Sequence, residues 1–135
     1  MKITVLAVGR IRTPFADAQA HYLKLLGPHA RVEVVEVPEE AKLAKRIPER
    51  AHVCLLDERG TQRSSQEWAG WLEQRRMSGR DLCLVVGGAF GTSLEHVDET
   101  ISFGRMTLPF QLARVVALEQ LFRAHKILAG EPYHH

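Results

Sequence analysis

Hydrophobic and polar positions along the chain fall into two alternating rhythms. KITVLAV at 2–8, HVCLLD at 52–57 and DLCLVV at 81–86 are short, nearly continuous apolar runs, the pattern of strands buried on both faces. RVEVVEV at 31–37 alternates charged and apolar residues, so it reads as a strand with one wetter face, nearer an edge. The segments between are helical. Pro14 opens a helix that runs to about Leu26 and is closed by Gly27-Pro28, and a short charged helix over about 39–47 follows Pro38. Ser64 or Ser65 caps a helix carrying Trp68, Trp71, Leu72 and Arg75 at i, i+3, i+4 and i+7, which Ser78-Gly79 closes. Beyond Val86 come a glycine loop, a short helix at about 93–100, a strand at 101–108 and a long helix at 111–128. The alternation predicts an α/β fold, a mainly parallel sheet with helices on both faces.

In such sheets ligands collect beyond the carboxyl ends of the strands. Three loops are predicted to leave strands there: 56–60, 87–91 and the segment around Phe103 to Pro109. The final helix is apolar on most sides, with Glu119, Arg123 and Lys126 as its narrow polar strip. Such a helix needs burial on more than one side. A twofold-related copy of the chain supplies that cover most simply, the alternative being a monomer core wrapped around the helix.

Composition narrows the class without choosing a function. With 135 residues, 45% of them hydrophobic, the chain fits one domain spanning 1–135. Charged residues make up an ordinary 25% and the net charge is +2, which permits nucleic-acid binding without arguing for it. Cys54 and Cys83 sit inside apolar runs, as core thiols of a reduced cytoplasmic protein would. No run approaches a membrane span, no secretory signal pattern is visible, and no metal-ligand spacing stands out.

Candidate chemistry gathers in the last third. A GGxxG loop after a strand is a weak signal alone, since it fits a tight turn or a phosphate-binding turn as well as a wider ligand cradle. The chain closes on Pro132-Tyr133-His134-His135, a phenol and two imidazoles where a dispensable tail is usually bland. Arg123 stands four residues from Glu119, the spacing of a helix-surface ion pair. Arg114 fits either an RNA phosphate contact or a dimer support.

Taken in order, Leu55 to Gly60, Val86 to Gly91, Ser102 to Pro109, RVVALEQLFRA at 114–124 and the terminal PYHH make a specific set. Over nearly its whole length the chain resembles the SPOUT-class methyltransferases, and within them the small family that methylates N3 of a pseudouridine in large-subunit ribosomal RNA. The resemblance implies a C-terminal trefoil knot, a homodimer, and S-adenosylmethionine held in the knotted loops. It places Leu56, Gly87, Gly88, Phe103, Gly104, Arg105, Met106, Thr107 and Leu108 at the cofactor. It also implies ribosomal RNA, in the large ribosomal subunit or the assembled ribosome, as partner, and makes Tyr133, His134 and Arg123 the candidates for catalysis. Methyl transfer to a weakly acidic imide nitrogen needs alignment, a proton acceptor or stabilisation of the developing anion, which those three side chains can divide between them. The chain departs from the family in ending on His135 rather than a fixed positive charge, in carrying Phe110 where a histidine is common, and in its short 39–50 segment, whose Lys42, Lys45, Arg46 and Arg50 fit either solvated surface or RNA contact. These departures leave open a ribosome-binding or assembly factor that kept the fold without the activity. A dinucleotide enzyme is disfavoured by the missing G-x-G-x-x-G spacing.

Overall fold

A computed structural model describes residues 1–87 and 94–133. Five strands, β1 (Lys2–Val8), β2 (Arg31–Val37), β3 (His52–Gln62), β4 (Leu82–Val86) and β5 (Glu99–Ser102), form one sheet. Their order is β2-β1-β4-β3-β5 and every pairing is parallel. β4, buried at all five residues, lies between β1 and β3. β2 is an edge strand, and its alternating charges match that position.

The two faces of the sheet are covered unequally. On one, α1 (Phe15–Leu26), α3 (Ser65–Met77) and α4 (Phe110–Leu128) pack together. Ile3, Val5 and Leu84 of the sheet there meet Trp68, Leu72, Leu118 and Leu121. On the other face, Leu6, Cys83 and Val85 lie in a smaller cluster with Leu43 of the four-residue α2 (Leu43–Arg46) and with Ala51. Cys54 and Cys83 are buried free thiols, and burial pushes both above the usual thiol range, Cys83 to about 12. α3 begins with a reciprocal cap: the Ser64 hydroxyl accepts the Glu67 N–H at 3.1 Å, and the Glu67 carboxylate accepts the Ser64 N–H at 2.8 Å.

α4 finds its cover within its own chain. Val115, Leu118, Leu121, Phe122 and Ala124 are all buried, and the helix packs against both α1 and α3. A second copy is therefore not required to bury those residues. What stays half-exposed along α4 is a strip containing Leu112 and Val116.

The predicted elements differ from the observed ones in three places. β3 does not end near Asp57 but resumes beside β5 after its register shifts between Leu56 and Thr61. Gly60 makes that detour possible, because a β-carbon there would lie 2.6 Å from the Thr100 carbonyl carbon. The predicted helix at about 93–100 is not formed by its described residues. Instead Asp98 accepts the Val53 N–H at 2.7 Å and donates its own N–H to the Val53 carbonyl at 2.9 Å. Glu99 is gripped by His52 Nε2 at 2.5 Å and Trp71 Nε1 at 2.9 Å, so tertiary contacts draw the segment into an edge strand against its local propensity. The predicted strand at 101–108 stops at Ser102, whose hydroxyl accepts the Gly104 N–H at 2.9 Å and donates to the Gly104 carbonyl at 2.7 Å. That side chain closes a turn and ends the pairing.

Arg63 adds a third contact to Glu99 at 3.3 Å. Burial alone would raise the Glu99 carboxyl, but hydrogen bonds from His52 and Trp71 outweigh it and hold the group below the usual carboxylate range. Glu99→Gln is expected to cost about 2–3 kcal/mol in denaturant unfolding, because partly buried donors lose a charged acceptor. The depressed value makes this contribution full above pH 4.5 and progressively lost as the pH falls below it. A variant as stable as the native chain at neutral pH would show that the cluster does not hold β5.

Candidate functional site

The parallel sheet brings the carboxyl ends of β3, β4 and β5 together, and between them opens a cleft of about 810 Å³, within the size range of small-molecule sites. Seven of the nine residues predicted to meet a cofactor line it: Leu56, Gly87, Phe103, Gly104, Met106, Thr107 and Leu108. Arg105 is exposed between Gly104 and Met106 but is not part of the wall. Gly88 lies outside the described residues.

Each wall has a local cause. Leu56 comes from the last regular pairing of β3 with β4, opposite Val86, and Gly87 follows directly on that strand. Phe103 stacks on Trp68 of α3 with ring centroids 5.6 Å apart and planes 23° from parallel, so the core of the domain backs one aromatic wall. Gly104 has φ of 133°, a conformation that side chains with a β-carbon rarely adopt, and nothing lies within 4 Å of where its β-carbon would be. Its backbone is thus open to close approach. Met106 projects with 79% of its surface exposed. Thr107 donates to Glu58 at 2.5 Å and ties the β5–α4 loop to the turn within β3.

Asp57, Glu58, Pro109, Phe110 and Ala113 also line the cleft, none of them among the nine predicted cofactor contacts. Asp57 is paired with Arg59, also in the wall, at 3.0 Å, and Glu58 adds a second carboxylate beside them. Hydrogen bonds from the Arg59 side chain and backbone hold Asp57 below the usual carboxylate range, so it is ionised at neutral pH. The usable signal was the Asp-Glu pair in a loop already placed at the sheet edge. Phe110 adds apolar surface where a titrating ring would have faced the cavity.

Two of the three predicted catalytic residues, Tyr133 and Arg123, are not part of the cleft wall. Tyr133 donates to Glu119 at 2.9 Å, Arg123 pairs with Glu119 at 2.8 Å, and the Arg123 guanidinium sits 4.4 Å from the Tyr133 ring centroid. The structure therefore brings Tyr133 and Arg123 together, but away from the cleft. Glu119 is six to nine residues past Ala113 and Phe110, about 9–14 Å of rise along α4. Burial, then the bond to Glu119, pushes the Tyr133 phenol up to about 12. It is a neutral donor near pH 7 and unsuited to accept a proton. His134 lies outside the described residues. Arg114 is fully buried and paired with Glu36, so it presents no group to an RNA phosphate.

The geometry has counterparts among known proteins. The family model described as predicted SPOUT methyltransferase matches residues 1–134. Proteins called ribosomal RNA large subunit methyltransferase H are similar over 99% of both chains: 39% identical in Carboxydothermus hydrogenoformans, 43% in Anaeromyxobacter sp. (strain Fw109-5), and 38% in Listeria monocytogenes serotype 4a. The alignment to the first spans 158 residues against 135 here, so that relative carries insertions this chain lacks. With a match along its whole described length and a ligand-sized cleft at the expected sheet edge, this chain belongs to the SPOUT methyltransferase family.

Proposed function

We propose that this chain transfers a methyl group from S-adenosylmethionine to N3 of a pseudouridine in large-subunit ribosomal RNA, working in the cytoplasm as a homodimer. The observation that carries the reading is the convergence of seven predicted cofactor contacts on one cleft. The relatives' names supply the RNA substrate class. The cleft suits the cofactor chemically: Leu56, Phe103 and Leu108 offer apolar walls to a flat base, and the backbone beside Gly87 and Gly104 offers close polar edges. Asp57 and Glu58 offer acceptors for hydroxyl or ammonium groups.

When bound, the cofactor supplies an electrophilic sulfonium methyl group. The chain's own residues then hold the two reactants in line, which lowers the barrier mainly through alignment. Phe110 and Ala113 add apolar surface on the α4 side of the cleft. Arg123, paired in this chain with Glu119, is the candidate cation for charge on the imide, the neutral Tyr133 phenol is a donor and ring surface, and His134 is the candidate proton acceptor.

The separation of Tyr133 and Arg123 from the cleft supports the dimer. A second copy that laid its tail over this cleft would complete a set of groups that one chain keeps apart. The half-exposed Leu112 and Val116 on α4 give such a copy an apolar strip to meet. The knotted crossing of the C-terminal part that is expected of the family belongs to the same proposal.

Four outcomes test this reading. Mass spectrometry of ribosomal RNA nucleosides should show one methyl mark missing when the gene is removed, and an unchanged set would exclude the assignment. Met106→Ala should weaken S-adenosylmethionine binding in calorimetry about fivefold, roughly 1 kcal/mol of apolar contact, with an unchanged melting temperature because the side chain is exposed; unaltered affinity would remove Met106 from the site. Sedimentation should give twice the 15.2 kDa chain mass, shifting toward monomer in Val116→Glu, whereas a native monomer at assay concentration contradicts the dimer. Tyr133→Phe should slow methylation yet keep the pH profile between about pH 6 and 9, since the phenol titrates near 12. Loss of an inflection in that range would make Tyr133 the titrating group after all.

A further inference from the structure

The loop between β1 and α1 is held from two sides by buried or half-buried side chains. Arg114 is completely buried, and its guanidinium reaches Glu36 at 2.5 Å and donates to the carbonyls of Val8 and Gly9 at 3.3 and 3.0 Å. Glu36 also accepts the Ile11 N–H at 2.8 Å. One turn earlier on α4, Gln111 accepts the Arg12 N–H at 2.9 Å and donates to the Arg10 carbonyl at 3.2 Å. Placing a whole guanidinium in the interior carries a large desolvation cost, and here its two terminal nitrogens are spent on Glu36 and on the carbonyls of a surface loop.

The side chains of Arg10 and Arg12 are exposed, and among the described residues neither has a hydrogen-bond or ion-pair partner. Their loop adjoins the cleft in two ways. Ala7 pairs with Val86 in the sheet, so the chain after β1 leaves beside Gly87 of the cleft wall. The α4 turn that presents Phe110 and Ala113 to the cleft presents Gln111 and Arg114 to the loop. The two are separated by about the 10 Å width of a helix.

We infer that Arg10 and Arg12 form a preset phosphate-binding site for the RNA strand entering the cleft, with Arg114, Glu36 and Gln111 as its positioning residues. Guanidinium forks match phosphate oxygens in geometry and charge, and a loop whose backbone is already fixed loses less entropy on binding. The inference rests on the RNA methyltransferase reading above, but its readout is binding rather than methylation.

The test is filter binding of isolated bacterial large ribosomal subunits over a series of KCl concentrations, with S-adenosylmethionine titrated separately. The double variant Arg10→Ala/Arg12→Ala should bind subunits at least about tenfold more weakly at low salt, with a salt slope shallower by about two. Its cofactor affinity and melting temperature should match the native chain. Gln111→Ala keeps both charges, so it should bind more weakly with the native slope. An unchanged slope in the double variant, or a loss of cofactor affinity in its place, would overturn the phosphate site while leaving the methyltransferase reading intact. Native affinity in Gln111→Ala would overturn the positioning role. Failure of the native chain to bind subunits at all would remove the RNA reading and this inference with it.

Discussion

The pairing of β4 with β1 on one side and β3 on the other is the constraint on which the rest depends. All three strands are parallel and the central one is buried throughout. Parallel strands release their following segments at one edge, so Gly9–Arg12, Asp57–Gly60 and Gly87 must emerge together. The cleft lies between the last two of these, with Gly9–Arg12 beside it, and β5 adds Phe103 and Gly104 by pairing next to β3. Backbone position, more than any reactive side chain, determines what the cleft can hold.

α4 connects this edge to the remainder of the molecule. Its first turn closes the cleft with Phe110 and Ala113, and its Gln111 and Arg114 fix the neighbouring loop. Its middle forms the core with Trp68, Leu72 and Leu26, and its Glu119 and Arg123 hold the tail through Tyr133. One helix thus couples the proposed cofactor cleft, the proposed RNA contact and the proposed catalytic tail. That coupling uses most of the helix's apolar residues within the chain and leaves half-exposed the strip that contains Leu112 and Val116.

Strand order aside, the α/β character, the edge position of β2, the capping of α3 by Ser64 and most of the cleft wall were legible because each rests on local pattern. Period-two or continuous apolar runs report strands, and Ser64 with Glu67 reports a cap. The region from Leu94 to Leu108 was misread for an equally physical reason. Asp98 and Glu99 look like helix residues, yet their carboxylates are claimed by Val53, His52 and Trp71, more than 25 positions away in sequence. Ser102 turns the chain with its own hydroxyl, which no hydrophobic period reveals. Arg114 was legible as a charged helix residue but not as a buried clamp, because its partners Glu36 and Gly9 are brought to it only by the sheet. Assigning particular residues to cofactor and catalysis came from resemblance, and spacing alone would have left GGAFG a turn.

The central claim is that the carboxyl-edge cleft of this chain receives S-adenosylmethionine. Amide chemical-shift mapping by nuclear magnetic resonance during titration with that compound tests it most directly. The account predicts the largest saturable shifts at Leu56 to Arg59, Gly87 and Phe103 to Ala113, with little change at the opposite sheet edge around His52 and Asp81. Shifts centred on His52, Glu99 and Arg75 instead, or no saturable shifts at millimolar cofactor, would contradict it.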